Sequence, residues 1–556
     1  MEGGDGYDKV GVFLFLEEES FWSGEKKLQE RGKNMDDKGK EIDRRTFIKA
    51  TMAAGAGVAL TGSMSHLAWG KSPTDGDLAD LSLFQLSKMI RKGEVTSKKL
   101  VELYLERIQK FGGPNGINAY ITVAGDAALR QAETLDELAK QKKFKGPLHG
   151  LPIAIKDNLD TKDIKTTGGS KILESWLPPS DAHVVKKLKD AGAIIIGKTN
   201  MHEFAFGITT NNPHYGPARN PYDLSRIPGG SSGGSGAAAA AALCAGAIGT
   251  DTGGSVRIPA ALCGVVGLKP TLGRVGRGGM MYLSFTRDVI GPITRTVSDS
   301  ALILEAISGP DVRDPESSSN TVPNYISNLK GGLKGKKFGV PKKYFFEGIH
   351  PETQNVMDEA IKEIKAMGGS IKEVEVKHMD IATPTGFNIV LAECIYLMED
   401  YLKAFDPEAT IEKYAEQLGP DVKGPLAGSK SQPVPGYVYA KSVREDRNKM
   451  ISGFEDAMFG LDALILPTTP LPAAKIGEDV ETELLGEKVN TFLTFIKNCD
   501  PVSVVGYPAI TVPAGYSSTG LPIGLQIVSR PWTEDKLLSM AFAFEQATKV
   551  RKAPKL

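Results

Sequence analysis

Gly229-Gly230-Ser231-Ser232-Gly233-Gly234-Ser235, an alanine run from Ala237 to Ala242, and Gly249-Thr250-Asp251-Thr252-Gly253-Gly254-Ser255 decide how this 556-residue chain is read. Glycine at such density lets the backbone turn sharply and approach a ligand closely. Serines held in those turns present hydroxyls, and the adjacent glycine amides are free to point at an oxyanion. A linker is also rich in Gly and Ser. A linker does not carry Ala237–Ala242, Leu243, Cys244, Ala245 and Ile248, which read as a buried helix running into a strand. The two clusters read as active-site loops.

Working outward, strands and helices alternate. Leu81–Phe111 reads as two helices, the second capped by Thr96 or Ser97 with Leu100, Leu103, Tyr104 and Ile108 on one face. Ala127–Lys142 is a further amphipathic helix. Gly150–Asn158 is a buried strand ending in charge, and Ala193–Gly197 is a second buried strand after a helix at Val184–Lys189. Core strands return at Leu464–Leu466, Ala509–Val512 and Ile523–Val528, and an amphipathic helix, Glu534–Val550, closes the pattern. This order predicts an α/β fold, a mixed or largely parallel sheet covered by helices on both faces. Residues 325–470 are richer in Lys, Glu, Pro and Gly and read as an inserted, more exposed helical layer around the short strand Lys337–Val340.

The chain has 67 basic and 67 acidic residues and no net charge, with no basic patch of the kind nucleic acid requires. The lysines at 142–145 and 334–337 read as solvated loop faces. Four scattered cysteines without a CxxC pair argue against a disulfide framework, and no HExxH follows His202-Glu203. Neither metal nor cofactor is expected.

Ser232 sits at the centre of a G-x-S-x-G match, but that pattern arises by chance in a Gly/Ser tract. The later histidines, His350 and His378, lie in the polar section, so a Ser-His-Asp arrangement fails on context. Lys156 is the better base. It ends the apolar run Leu151–Ile155, where desolvation disfavours the ammonium form. The residues alone leave two readings open: a neutral base for a serine, or a strand-end lysine paired with Asp157 or Asp160.

These segments together resemble the amidase signature family of hydrolases. The resemblance rests on Gly150–Asn158 with Lys156, Gly229–Ser235, Gly249–Ala260, Asn220–Arg226, Cys263-Gly264, Gly267–Thr271, Asp288–Asp299 and Gly520–Gln526, and covers roughly residues 75–548. It implies one large mixed sheet flanked by helices, in a domain spanning about 71–550. It also implies a Ser-cisSer-Lys triad mapping onto Ser255 as nucleophile, Ser231 as relay and Lys156 as base. The oxyanion would be held by the amides of Thr252, Gly253, Gly254 and Ser255. Ser232 and Ser235 hydrogen-bond within the loop or serve turn geometry. Asp251 is expected to anchor the oxyanion loop, and Arg257 to pair with a carboxylate or bind a substrate carboxylate. The expected reaction is hydrolysis of a small-molecule amide to acid and ammonia or amine. The alternative is the glutamine-hydrolysing subunit of a tRNA-dependent amidotransferase. Met280-Met281-Tyr282, Pro467–Pro470 and the variable middle segment are the expected acyl-pocket walls, and homodimer formation is left open.

Asp43-Arg44-Arg45-Thr46-Phe47 precedes a weakly hydrophobic Ala/Gly-rich stretch to about Leu67, the pattern of a twin-arginine export signal over residues 35–70. Export to the periplasm or beyond is therefore expected, with a cytoplasmic location as the alternative. Residues 1–34 read as an upstream extension, with translation starting at Met35. The hydrophobic stretch is too short and weak for a stable membrane span.

Overall fold

In the computed structural model, residues 74–556 are described; the export signal, its cleavage region and the upstream extension lie outside them. Eleven strands build one sheet: β1 Tyr120–Val123, β2 Pro152–Lys156, β3 Ile194–Thr199, β4 Gly246–Asp251, β5 Val266–Lys269, β6 Val289–Thr294, β7 Lys337–Pro341, β8 Ser370–Val374, β9 Ala463–Pro467, β10 Ala509–Tyr516 and β11 Pro522–Val528. Their spatial order is β1-β3-β2-β4-β6-β5-β10-β11-β9-β7-β8. The sheet is mixed. β2 runs parallel to both β3 and β4, and β7 parallel to β8 and β9, while the centre of the sheet is antiparallel.

Every residue of β2, β3, β4, β5, β6, β9 and β11 is buried. Burial at successive positions, which point to opposite faces, requires cover on both faces. The cover is helical. The helices that matter here are α1 Leu83–Lys92, α2 Ser97–Phe111, α3 Gly125–Lys140, α4 His183–Asp190, α5 Gly233–Ala240, α6 Arg257–Leu262, α7 Pro351–Ala366, α8 Ala382–Lys403, α9 Pro420–Ser431 and α10 Glu534–Thr548. Thr96, rather than Ser97, caps α2 by accepting the Lys99 amide. Val101 of α2, Ala128, Ala132 and Leu135 of α3 and Ile194 of β3 form one apolar cluster. The alanine run is a helix wholly enclosed in protein, where the small side chains let it lie close to its neighbours.

The stretch 325–470 departs from the expected separate layer. β7, β8 and β9 extend the central sheet, and α7 packs beside β10 and β11. The polar look of Ser370–Val374 comes from its place at the sheet edge, where most of its residues are partly or fully exposed. α8 is apolar and long enough by composition to span a membrane. Cys394, Met398 and Leu402 on it belong to a buried cluster with Met201, Phe204 and Leu283, so that apolar face is spent on the protein interior.

Candidate active site

Lys156 ends β2, and parallel pairing of β2 with β4 sets it beside the end of that strand. Its ammonium nitrogen lies 2.7 Å from Ser231 Oγ and 2.8 Å from Thr250 Oγ1. Asn158 Nδ2 donates to the same threonine oxygen at 3.1 Å. Lys156 and Ser231 are fully buried. Burial pushes the lysine down to about 7, against the pull of Asp288 and Asp251. Neither neighbouring acid pairs with it. Asp157 lies 3.2 Å from Lys198, and Asp160 accepts the Tyr401 hydroxyl. The strand-end ion pair, one of the two readings of Lys156, is absent.

The first Gly/Ser cluster is tied onto β4 and onto the second cluster. Ser232 Oγ donates to Thr250 O and accepts the Thr250 amide, both at 3.2 Å, and Ser235 Oγ donates to Ile248 O at 3.0 Å. The Ser232 amide donates to Ser255 O at 3.3 Å. The Gly230–Ser231 peptide is cis. A Cβ on Gly234 would lie 2.3 Å from Asn200 O, so only glycine admits this approach. At Gly254, with φ +141°, a Cβ would lie 2.7 Å from Cys499 Cβ. Turn and close packing, rather than flexibility, explain the glycines.

Ser255 stands at the other side of this junction, 7% exposed, where Thr252, Gly253 and Ser255 line a cavity of about 570 Å³. Among the described residues, the amides of Gly253, Gly254 and Ser255 donate to no protein oxygen. Ser231 Oγ is engaged by Lys156 and is not hydrogen-bonded to Ser255 Oγ.

The charged residues nearby have structural partners. Arg257 forks onto Asp251 at 2.9 and 3.0 Å, and also donates to Gln526 and Ser503, all out of solvent. Asp251 further accepts the Val256 amide at 3.2 Å. Burial would raise its carboxyl, but Arg257 outweighs this and holds it at about 2. Asp288 accepts the Thr252 hydroxyl and the amides of Leu283 and Ser284 at 2.7 and 3.0 Å, which fixes the start of the second loop. Burial raises this carboxyl.

Thr250 carries no mark in the sequence beyond its place in the second cluster, and Asn158 and Asp288 stand out there only as parts of longer motifs. The parallel pairing of β2 and β4 brings the ends of the two strands together, and the Lys156–Thr250 contact forms there. The expected acyl-pocket walls need correction. Met280, Met281, Tyr282 and Pro467–Pro470 do not line the cavity. Met281 instead packs against Gly168 and Phe204, so it belongs to the support. Leu283, together with Phe387, Val390 and Leu391 of α8 and Pro425 of α9, forms the wall. Of the expected walls, the variable middle segment alone contributes.

A buried lysine in contact with a serine hydroxyl, beside free loop amides and a second serine on a cavity, defines a centre built for acyl transfer to a serine. The chain belongs to the Amidase family, whose sequence pattern matches residues 99–538; it is an amidase-family enzyme acting on C–N bonds. It is 40% identical over 492 residues to a glutamyl-tRNA(Gln) amidotransferase subunit of Geobacter sp. (strain M21), covering 86% of this chain and 100% of that protein. A native peptide amidase from Stenotrophomonas maltophilia aligns with a TM-score of 0.76 at 32% identity, over 85% of this chain and 98% of that one. The corresponding glutamyl-tRNA(Gln) amidotransferase subunit from Thermotoga maritima aligns with a TM-score of 0.71 at 32% identity, over 87% and 99%.

Proposed function

We propose that this protein hydrolyses a carboxylic amide to acid and ammonia or amine through an acyl-enzyme on Ser255. Neutral Lys156 accepts the Ser231 proton while Ser231 takes that of Ser255, whose Oγ attacks the carbonyl carbon. The amides of Thr252, Gly253, Gly254 and Ser255 hold the resulting oxyanion; one such donor is typically worth about 3 kcal/mol. The proton returns through Ser231 to the leaving nitrogen, the C–N bond breaks, and water then cleaves the acyl ester. The Ser231–Ser255 contact forms as substrate seats, a tightening common in such sites. Asp251 and Arg257 support the loop as a buried pair and touch no reacting atom.

The observation that carries this reading is Lys156, buried, 2.7 Å from Ser231 and without a carboxylate partner among the described residues. A fluorophosphonate probe is expected to label Ser255 in the wild type, to lose the label in Ser255→Ala, and to lose most of it in Lys156→Ala. Full labelling of Lys156→Ala would remove the lysine from the mechanism.

A second reading, the glutamine-hydrolysing subunit of a tRNA-dependent amidotransferase with partner subunits, is favoured by the names of relatives matched over their whole length. The relatives' names lean towards it, while the largely apolar lining of the cavity supports a less polar substrate than glutamine. Glutamine turnover, alone and with candidate partner subunits, separates the two. Twin-arginine export belongs to the first reading, and loss of export in Arg44→Lys/Arg45→Lys is its test.

A further inference from the structure

The cavity in front of Ser255 is walled largely by apolar side chains, among them Phe206, Ile208, Phe387, Val390, Phe492 and Ile496. Its formal charges are few, and its arginine is already paired. Arg287 is the one arginine or lysine that lines it among the described residues. Its guanidinium is forked between the Asp500 carboxylate and the Gly386 carbonyl, the latter at 2.9 Å. A Cβ on Gly386 would lie 2.5 Å from Asp500 Oδ2, so the backbone is cleared for this pair. The pair also abuts the oxyanion loop: a Cβ on Gly253 would lie 3.0 Å from Asp500 Oδ1. His202 lies 2.6 Å from Asp421, and both line the cavity. Asp479 has no ion-pair partner among the described residues. It accepts one hydrogen bond, from Asn211 at 2.8 Å, and its Oδ1 is buried without a partner.

We infer that the substrate is an uncharged carboxamide with an apolar acyl group, and that the Arg287–Asp500 pair shuts the cavity to an acyl group carrying a carboxylate. This rests on the hydrolytic reading of Ser255 and decides its substrate class. A carboxylate entering the cavity would leave water without gaining a free cation, and would face the unpaired Asp479. Burying a carboxylate without a partner is strongly unfavourable and discriminates against it. A volume of about 570 Å³ accommodates an acyl chain of six or more carbons or an arylalkyl group.

The test compares shape-matched amides on the full chain. 4-Methylpentanamide and succinamate differ in replacing an isopropyl end by a carboxylate, and L-glutamine and phenylacetamide complete the panel. Wild type is expected to favour 4-methylpentanamide over succinamate and glutamine by at least about a hundredfold in kcat/KM, the scale on which an apolar pocket rejects an isostere that adds a polar group. Asp500→Asn frees the Arg287 guanidinium, and the succinamate to 4-methylpentanamide ratio is expected to rise at least about tenfold. Succinamate or glutamine within tenfold of the neutral amides in wild type overturns the inference, whether or not Asp500→Asn folds. Silence of the neutral amides while the probe still labels Ser255 overturns the substrate class alone. Silence of the whole panel with Ser255 unlabelled overturns the hydrolytic reading beneath it.

Discussion

Replacing Lys156 with methionine is expected to stabilise the fold while abolishing acylation. The ammonium of an exposed lysine titrates at 10.5, and burial brings Lys156 to about 7. Stripping the proton that the unfolded chain would keep at pH 7 therefore costs about 4–5 kcal/mol, at about 1.36 kcal/mol per pH unit. Methionine fills similar space without a charge, but gives up the hydrogen bonds to Ser231 and Thr250, worth about 1 kcal/mol each. The variant should be more stable near pH 7 by about 2–3 kcal/mol. The pH dependence is more diagnostic than the magnitude. Because the folded value lies below the unfolded one, the unfolded chain binds the extra proton between pH 7 and 10.5. Wild type therefore regains stability as pH rises through that window and loses it as pH falls. Between about pH 7.5 and 9.5 the advantage of Lys156→Met should shrink by about 2.5 kcal/mol, because other groups titrate alike in both proteins. Urea unfolding of the two proteins at these pH values measures the difference. An advantage that does not change with pH would refute a lysine held neutral by burial.

The same ionisation should govern the chemistry. A lysine at about 7 is about nine-tenths neutral at pH 8 and one-tenth at pH 6, so probe labelling of Ser255 should fall about tenfold across that interval; a flat profile would contradict it. Thr250→Val removes an oxygen that receives both Lys156 and Asn158. An ammonium needs acceptors more than an amine does, so the acidic limb should move below 7 by about one pH unit, read from the same labelling profile. Asp251→Asn leaves the Arg257 guanidinium buried without its charge partner and should cost about 3–5 kcal/mol in urea unfolding. Neither Asp251 nor Arg257 lines the cavity, so KM for a neutral amide should stay unchanged in whatever fraction folds.

What could be read from the chain divides along lines of locality. The strand ending at Lys156, the enclosed alanine helix and the two Gly/Ser loops announce themselves through short patterns, since burial on both faces and tight turns each demand particular residues within a few positions. β7 and β8 did not announce themselves as members of the sheet. β8 is the exposed edge, and a polar edge strand among Lys- and Glu-rich helices has the composition of a surface layer, while β7, buried between β8 and β9, is too short to show where it pairs. Thr250 has no local signal because its role depends on a contact with Lys156, 94 residues earlier in the chain. The amphipathic pattern of α8 was weak for a related reason: one part of its surface meets a buried cluster and another meets the cavity, so both are apolar.

Charge is where a list of residues misleads most. Arg287, Asp421, Asp479 and Asp500 in sequence are four formal charges with no common pattern, and Arg287 and Asp500 stand 213 positions apart. Folding gathers all four on one cavity, pairs Arg287 with Asp500 and sets His202 2.6 Å from Asp421. A guanidinium whose charge is already met by a carboxylate offers a substrate acid no net positive charge, even though its Nε keeps a free donor, so its presence argues against an anionic substrate rather than for one. The kind of acyl group this site accepts is thus set less by which charges the chain contains than by which of them the fold has already paired.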